Sequence, residues 1–345
     1  MKHLITGSVL LSILGLFSCK AQNVNNLSAE AFADALTPET HLLDVRTAEE
    51  FDAGHLRGAD NIDWFQAGFV DSVKAKYGQD KPIYLYCRSG RRSADAAGKL
   101  AKAGYTVYNM LGGYQAWTEA GREVTRYEVE RFRTPQGTAV EITLIKHASL
   151  EIRFKGLSIQ VDPVTELGKK TDYATEFPKA DYILVTHEHF DHFDQGAIDA
   201  LRKDGTNLVT NARCADMAGW GKALANGESL QLAFGIEAVP AYNTTEGHLQ
   251  FHPKGRDNGY VLTLDGLRIY IAGDTEDIPE MADIKDIDVA FLPCNQPYTM
   301  TPEQCINAAR MVNPKVLFPY HFGQTDVSGI PEALPGMDVR IRNMQ

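Results

Sequence analysis

Residues Thr186-His187-Glu188-His189-Phe190-Asp191-His192 place three imidazoles and a carboxylate at H-x-H-x-D-H spacing. They follow directly on Tyr182-Ile183-Leu184-Val185, a short apolar run that reads as a buried strand. The fold must therefore end an interior strand in a polar loop, where a rigid backbone can hold several ligands at once. Imidazole nitrogen with carboxylate oxygen suits zinc, manganese or iron, and the lack of thiolate argues against a structural zinc site. The whole chain has only 10 histidines, so three beside an aspartate mark a metal site rather than a solvated turn.

A chain of 345 residues exceeds one ordinary core, so two domains are expected. The net charge is −11, and no basic run interleaves with aromatic residues, which excludes nucleic acid as the expected partner. The start is different in kind. Met1-Lys2-His3 is basic, and the apolar stretch from Leu4 to Phe17 is too short to span a bilayer but suits a secretory leader. Leu16-Phe17-Ser18-Cys19 resembles a bacterial lipoprotein cleavage site. That resemblance implies a leader at 1–19, a lipid on Cys19, a polar tether at 20–28, and a location in the cell envelope facing the periplasm. An ordinary signal peptide cut near Ala21 is the alternative. Membrane contact would be through the lipid anchor only. Of the remaining cysteines, Cys87, Cys214, Cys294 and Cys305 show no regular spacing, so no disulfide scaffold is implied, though one pair could form in an oxidising compartment.

In the first domain, expected at 29–127, apolar runs at 41–45, 82–86 and 106–110 alternate with helical patterning at Ala94, Ala97, Leu100 and Ala101. Such alternation predicts an α/β domain with a parallel sheet flanked by helices. The second run leads into Cys87-Arg88-Ser89-Gly90-Arg91-Arg92, ahead of a helix. Backbone N–H groups, helix dipole and guanidinium charge all favour a thiolate there, so Cys87 reads as a reactive sulfur nucleophile. The domain resembles the rhodanese family. Leu43-Asp44-Val45-Arg46, Gly54-His55-Leu56, the Cys87–Ser93 loop and Gly112-Gly113-Tyr114-Gln115-Ala116-Trp117 carry the match. The resemblance implies a persulfide on Cys87, cradled by Arg88, Ser89, Gly90, Arg91 and Arg92, with a thiol as sulfur donor or acceptor. It casts Asp44, Arg46 and His55 as fold-defining contacts. Phosphatase relatives have a longer loop, so this one favours sulfur over phosphate.

The second domain, expected at 138–345, opens with alternating runs at 141–145, 151–154 and 157–161, which predict an antiparallel meander. Asp265-Gly266 predicts a hairpin, and Thr301-Pro302-Glu303-Gln304 predicts a helix start. Further ligand candidates stand where strands meet loops: His252, Asp274 and His321, with His248 as a rival to His252. This half resembles the metallo-β-lactamase fold, an αββα sandwich, and within it the lactonase-like branch. His147-Ala148-Ser149, Asp162-Pro163, Phe251-His252-Pro253-Lys254-Gly255 and Ala272-Gly273-Asp274-Thr275 carry that match. It implies two divalent metal ions, zinc first, with manganese or iron as alternatives. His187, His189 and His252 would hold one, Asp191, His192 and His321 the other, and Asp274 would bridge. His147 would lie nearby in a structural or catalytic role.

Together these readings predict a metal-dependent hydrolase acting on a small-molecule ester, lactone, thioester or phosphodiester, joined to a sulfurtransferase-like domain. In it Asp191 can orient the nucleophile. One alternative is a persulfide dioxygenase with a single iron held by two His and one Asp. Another is a rhodanese domain that serves only for binding or sensing.

Overall fold

The computed structural model describes residues 24–37 and 40–344. The leader and the lipidation candidate Cys19 lie outside the described residues. The chain divides into two compact units. One runs up to Phe51 and resumes over Ala59–Arg122, and the other holds Asp52–Gly58 and Glu123–Gln345.

The first unit is built on strands β1 (Val24–Leu27), β2 (His41–Asp44), β3 (Asp60–Asn61), β4 (Ile83–Tyr86) and β5 (Val107–Met110). They form one sheet in the order β1-β5-β4-β2-β3, parallel throughout. Helix Arg91–Lys102 presents Ser93, Ala96, Ala97 and Leu100 inward, a helical stripe that packs on Ile83, Leu85 and Val107. Each fully buried aliphatic side chain of this kind contributes about 1.5–3 kcal/mol. Asp44 and Arg46 form a buried ion pair at 2.6 Å, and the Arg46 guanidinium lies over the Tyr114 ring.

The second unit carries β6 (Glu128–Arg133), β7 (Ala139–Lys146), β8 (Ser149–Phe154), β9 (Leu157–Val161), β10 (Tyr182–Val185), β11 (Asn207–Thr210) and β12 (Lys222–Ala223) in one sheet. Its other sheet holds β13 (Ser229–Gln231), β14 (Gly235–Ala241), β15 (Asp257–Leu264), β16 (Leu267–Ile271), β17 (Val289–Pro293), β18 (Val316–Tyr320) and β19 (Asp338–Val339). Each sheet begins as an antiparallel meander, β6 to β9 and β13 to β16, and continues as parallel strands. The inner faces share one core, in which Ile142, Ile152 and Leu184 meet Leu262, Phe291 and Phe318. The outer faces are covered by helices Gln195–Leu201 and Ala212–Ala218 on one side and Pro302–Val312 on the other. This is the αββα order. Asp265 and Gly266 both have positive φ, as a tight hairpin between β15 and β16 requires. Thr301 and Gln304 close a capping box around Pro302.

Two boundaries differ from the sequence expectation. β6 pairs with β7, so this sheet opens ahead of residue 138. The Asp52–Gly58 segment clusters with the second unit, where His55 Nε2 lies 3.2 Å from the Tyr127 carbonyl. A start at 138 misses the first, and a contiguous 29–127 domain misses the second.

Candidate functional site

The parallel strands of the second unit end on one rim of the sandwich. His187 to His192 follow β10, Asp274 follows β16, His321 follows β18, and His147 sits in the bend after β7. His147 and His321 take the left-handed backbone region, at φ 46° and 49°. Their backbones join, His321 N donating to the His147 carbonyl at 3.3 Å, and their rings lie 3.7 Å apart. Asp274 is placed by a close approach of two strands. Gly273 has φ 65°, and a β-carbon there would stand 2.8 Å from the Asn258 carbonyl.

The donors converge in two groups: His187, His189, His252 and Asp274, and His147, Asp191, His192 and His321. Asp274 is central. Its carboxylate lies 3.9 Å from His187 Nε2, 3.2 Å from His192 Nε2, 3.4 Å from His252 Nε2 and 3.3 Å from His321 Nε2. Asp191 Oδ2 meets His147 Nε2 at 3.2 Å and His321 Nε2 at 3.5 Å. The structure brings together the seven residues expected as ligands, His187, His189, Asp191, His192, His252, Asp274 and His321, and adds His147. His248 is set apart and contacts Glu276 instead, at 3.4 Å.

Which ring nitrogen faces inward follows from the outer partners. His192 Nδ1 lies 2.8 Å from Asp162 Oδ2, and His252 Nδ1 lies 2.9 Å from Asp257 Oδ2. Thr186 Oγ1 donates to Asp162 at 2.7 Å, leaving its lone pair for His187 Nδ1–H at 3.0 Å. Each contact leaves an Nε2 lone pair directed at Asp274, the outer-carboxylate arrangement of metal sites. His187 Nε2 and His189 Nδ1 stand 3.1 Å apart. His192 Nε2, His321 Nε2 and Asp274 Oδ1 are buried with no hydrogen-bond partner. Bare lone pairs packed this closely in the interior fit a shared cation.

The electrostatics agree. Burial pushes His187 well below the ordinary imidazole value, with His192 adding to the effect. Burial pulls the same way on His192 and His321, but the Asp274 charge overrides it, raising His192 well above that value and His321 to about 9. Asp191 and Asp274 are also penalised by burial. The hydrogen bond of His147 and the nearby His321 ring hold Asp191 below the carboxylate range, and the charge of His192 and His321 does the same for Asp274. The carboxylates thus draw protons onto imidazoles, which is the positive charge a metal ion would bring.

Sequence reasoning did not assign Asp257 or Glu276, and it noted Asp162 only as part of a motif. Glu276 Oε2 accepts from Thr244 N, Thr244 Oγ1, Thr245 N and Thr245 Oγ1 at 2.7–2.9 Å, pinning the start of the loop that carries His252. Lys254, in the motif that carries His252, is held by Glu280 at 2.7 Å.

In the first unit Cys87 directly follows β4 and is buried, at 1% exposure. Ser93 Oγ lies 3.4 Å from its sulfur. Arg92 forks onto Glu50 at 2.7 and 2.8 Å, and its charge also interacts with the Cys87 sulfur. Arg88 and Arg91 are exposed, so the arginine charge is not gathered evenly around the cysteine. Gly113 presses on the loop from behind, since a β-carbon there would stand 2.2 Å from the Cys87 carbonyl. That carbonyl accepts from Tyr114 N at 2.8 Å. Cys214, Cys294 and Cys305 are also buried and free.

Comparison with known proteins gives the same division. Residues 141–321 match the model of the beta-lactamase superfamily domain, more than half of the chain. This chain belongs to the beta-lactamase superfamily. Residues 28–120 match the rhodanese-like domain. A UPF0173 metal-dependent hydrolase of Ligilactobacillus salivarius is 34% identical over 191 residues, covering 53% of this chain and 85% of that one. A crystal structure of a metal-dependent hydrolase from Parabacteroides distasonis is 54% identical with TM-score 0.62, covering 64% of this chain and 100% of its own. A metallo hydrolase from Ignicoccus hospitalis is 27% identical with TM-score 0.51, covering 59% and 95%. The beta-lactamase superfamily protein described here is thus a metal-dependent hydrolase with a rhodanese-like domain.

Proposed function

We propose that the second unit holds two divalent ions and hydrolyses an ester-type bond, and that Cys87 carries sulfur. The observation behind the first part is the pair of four-donor groups meeting at Asp274. His187, His189 and His252 would hold one ion and His192, His321 and Asp191 the other, with Asp274 between them and His147 bracing Asp191. Ions bound here supply Lewis-acid charge and ionise water near neutral pH. Asp162 and Asp257 keep the His192 and His252 rings in one tautomer. Asp191, on the open side, orients the attacking water. Zinc is the first choice for this oxygen and nitrogen donor set. Metal analysis of the purified chain, with ester and lactone hydrolysis by wild type and Asp191→Ala, tests the reading. One iron per chain with oxygen uptake on glutathione persulfide would replace it with a dioxygenase, a reading that needs fewer ligands than converge here.

For the first unit, the Cys87 thiolate would take the outer sulfur of thiosulfate, releasing sulfite and leaving a persulfide. A second thiol, or cyanide, would then accept that sulfur. The Ser93 contact to the cysteine sulfur and the Arg92 charge acting on it support this. We also hold to lipid attachment at Cys19 and an envelope location, tested by labelled palmitate incorporation into wild type and Cys19→Ala.

A further inference from the structure

Among the large apolar side chains that the second unit leaves in water, three lie on segments that carry ligands or pack against them. Phe190 lies between the ligands His189 and Asp191 and is 78% exposed. Leu249 and Tyr298 are 49% and 46% exposed. A spatial chain connects them. The His189 and His252 rings lie 4.8 Å apart, Phe251 precedes His252, and the Tyr298 ring packs edge-on to Phe251 at 5.1 Å. Leu249 belongs to the same turn, close before Phe251. A single exposed apolar residue is ordinary, but several on the loops that carry and brace ligands form a rim with a purpose.

The charged groups near this rim are already satisfied. Arg256 is held by Asp257 at 2.6 Å and Glu188 at 3.3 Å, Arg213 by Glu188 at 3.1 Å, and Lys254 by Glu280 at 2.7 Å. Recognition of phosphate calls for a guanidinium or ammonium free to fork onto its oxygens. The chain also carries a net charge of −11, which repels anionic substrates at long range.

We propose that the hydrolase site selects an uncharged carboxylic ester, thioester or lactone whose acyl part is apolar and lies against Phe190, Leu249 and Tyr298. In the reaction, water adds its hydroxyl to the acyl carbon, the bond to the leaving oxygen or sulfur breaks, and the leaving group departs with the proton. The proposal rests on the hydrolase reading above and narrows it.

The test uses the metal-loaded full chain with p-nitrophenyl acetate, p-nitrophenyl hexanoate and bis(p-nitrophenyl) phosphate. A fully buried methylene is worth about four-fold in binding, so a partly open rim predicts hexanoate ahead of acetate by about ten-fold in kcat/KM, mostly through KM. Phe190→Ser and Tyr298→Ser should shrink that ratio to under about two-fold with bound metal per chain unchanged, because Phe190 faces water, Tyr298 is half exposed, and neither belongs to the core. Faster hydrolysis of the phosphate diester, or equal rates on both esters, would overturn the proposal and leave the hydrolase reading standing. Wild type inert on all three probes would remove both.

Discussion

Asp274 gathers donors from segments scattered between His147 and His321, whereas Cys87 is framed by one continuous loop and the Gly113 turn behind it. The metal centre depends on the sandwich closing correctly, because its donors meet only when both sheets pack. The cysteine loop depends on a single strand-to-helix turn. The first arrangement gives a rigid, buried, multiply braced site. The second gives a local one whose arginines divide between the sulfur, Glu50 and water. The two sites should therefore fail separately and by different routes.

The largest effect should come from Asp274→Ala. It removes the carboxylate that four imidazoles face, so bound metal and hydrolysis should both be lost, by more than the roughly 10–100-fold typical of an outer partner. Thiosulfate-to-cyanide transfer by the same variant should persist, and its loss would show that the sites are not independent. The reverse case is Cys87→Ser. Sulfur transfer should drop to background while hydrolysis stays within about two-fold of wild type. Asp257→Asn is expected to weaken metal binding by about 10–100-fold, read by competition with a chelator, because His252 loses its orienting carboxylate. Glu276→Gln should cost about 1–3 kcal/mol of stability in urea unfolding, because the loop before His252 loses a charged acceptor. The smallest effect concerns Cys214, whose thiol burial pushes up to about 12. Iodoacetamide at about pH 8 should leave it unlabelled in the folded chain, as mass spectrometry would show.

Contiguity decided what could be read in advance. His187 to His192 and Cys87 to Arg92 are runs, and a run announces its chemistry. The β7–β8–β9 meander and the Asp265-Gly266 hairpin were equally legible, because alternation and turn chemistry are local signals. Asp257 and Glu276 were not, since an isolated acid at a strand start or in a loop has no period, and only the packed structure shows which imidazole or loop it meets. Edge strand β6 escaped for a related reason. Its Glu128-Val129-Glu130-Arg131-Phe132-Arg133 is mostly charged, and Glu130 is held by Arg340 and Arg342 rather than by apolar packing alone. The segment Asp52–Gly58 joined the other unit because its partners lie far along the chain, beyond the reach of any sequence window.

Gly113 also bears on how this chain can drift. Its α-carbon occupies the one place where the Cys87 carbonyl leaves no room for a side chain, so every other residue type is closed to it while the loop keeps its shape. A saturation library selected for sulfur transfer should therefore return glycine alone at 113, whereas one selected only for hydrolysis should tolerate change there. The spread of residues recovered at that one position would report which of the two activities a given selection is preserving.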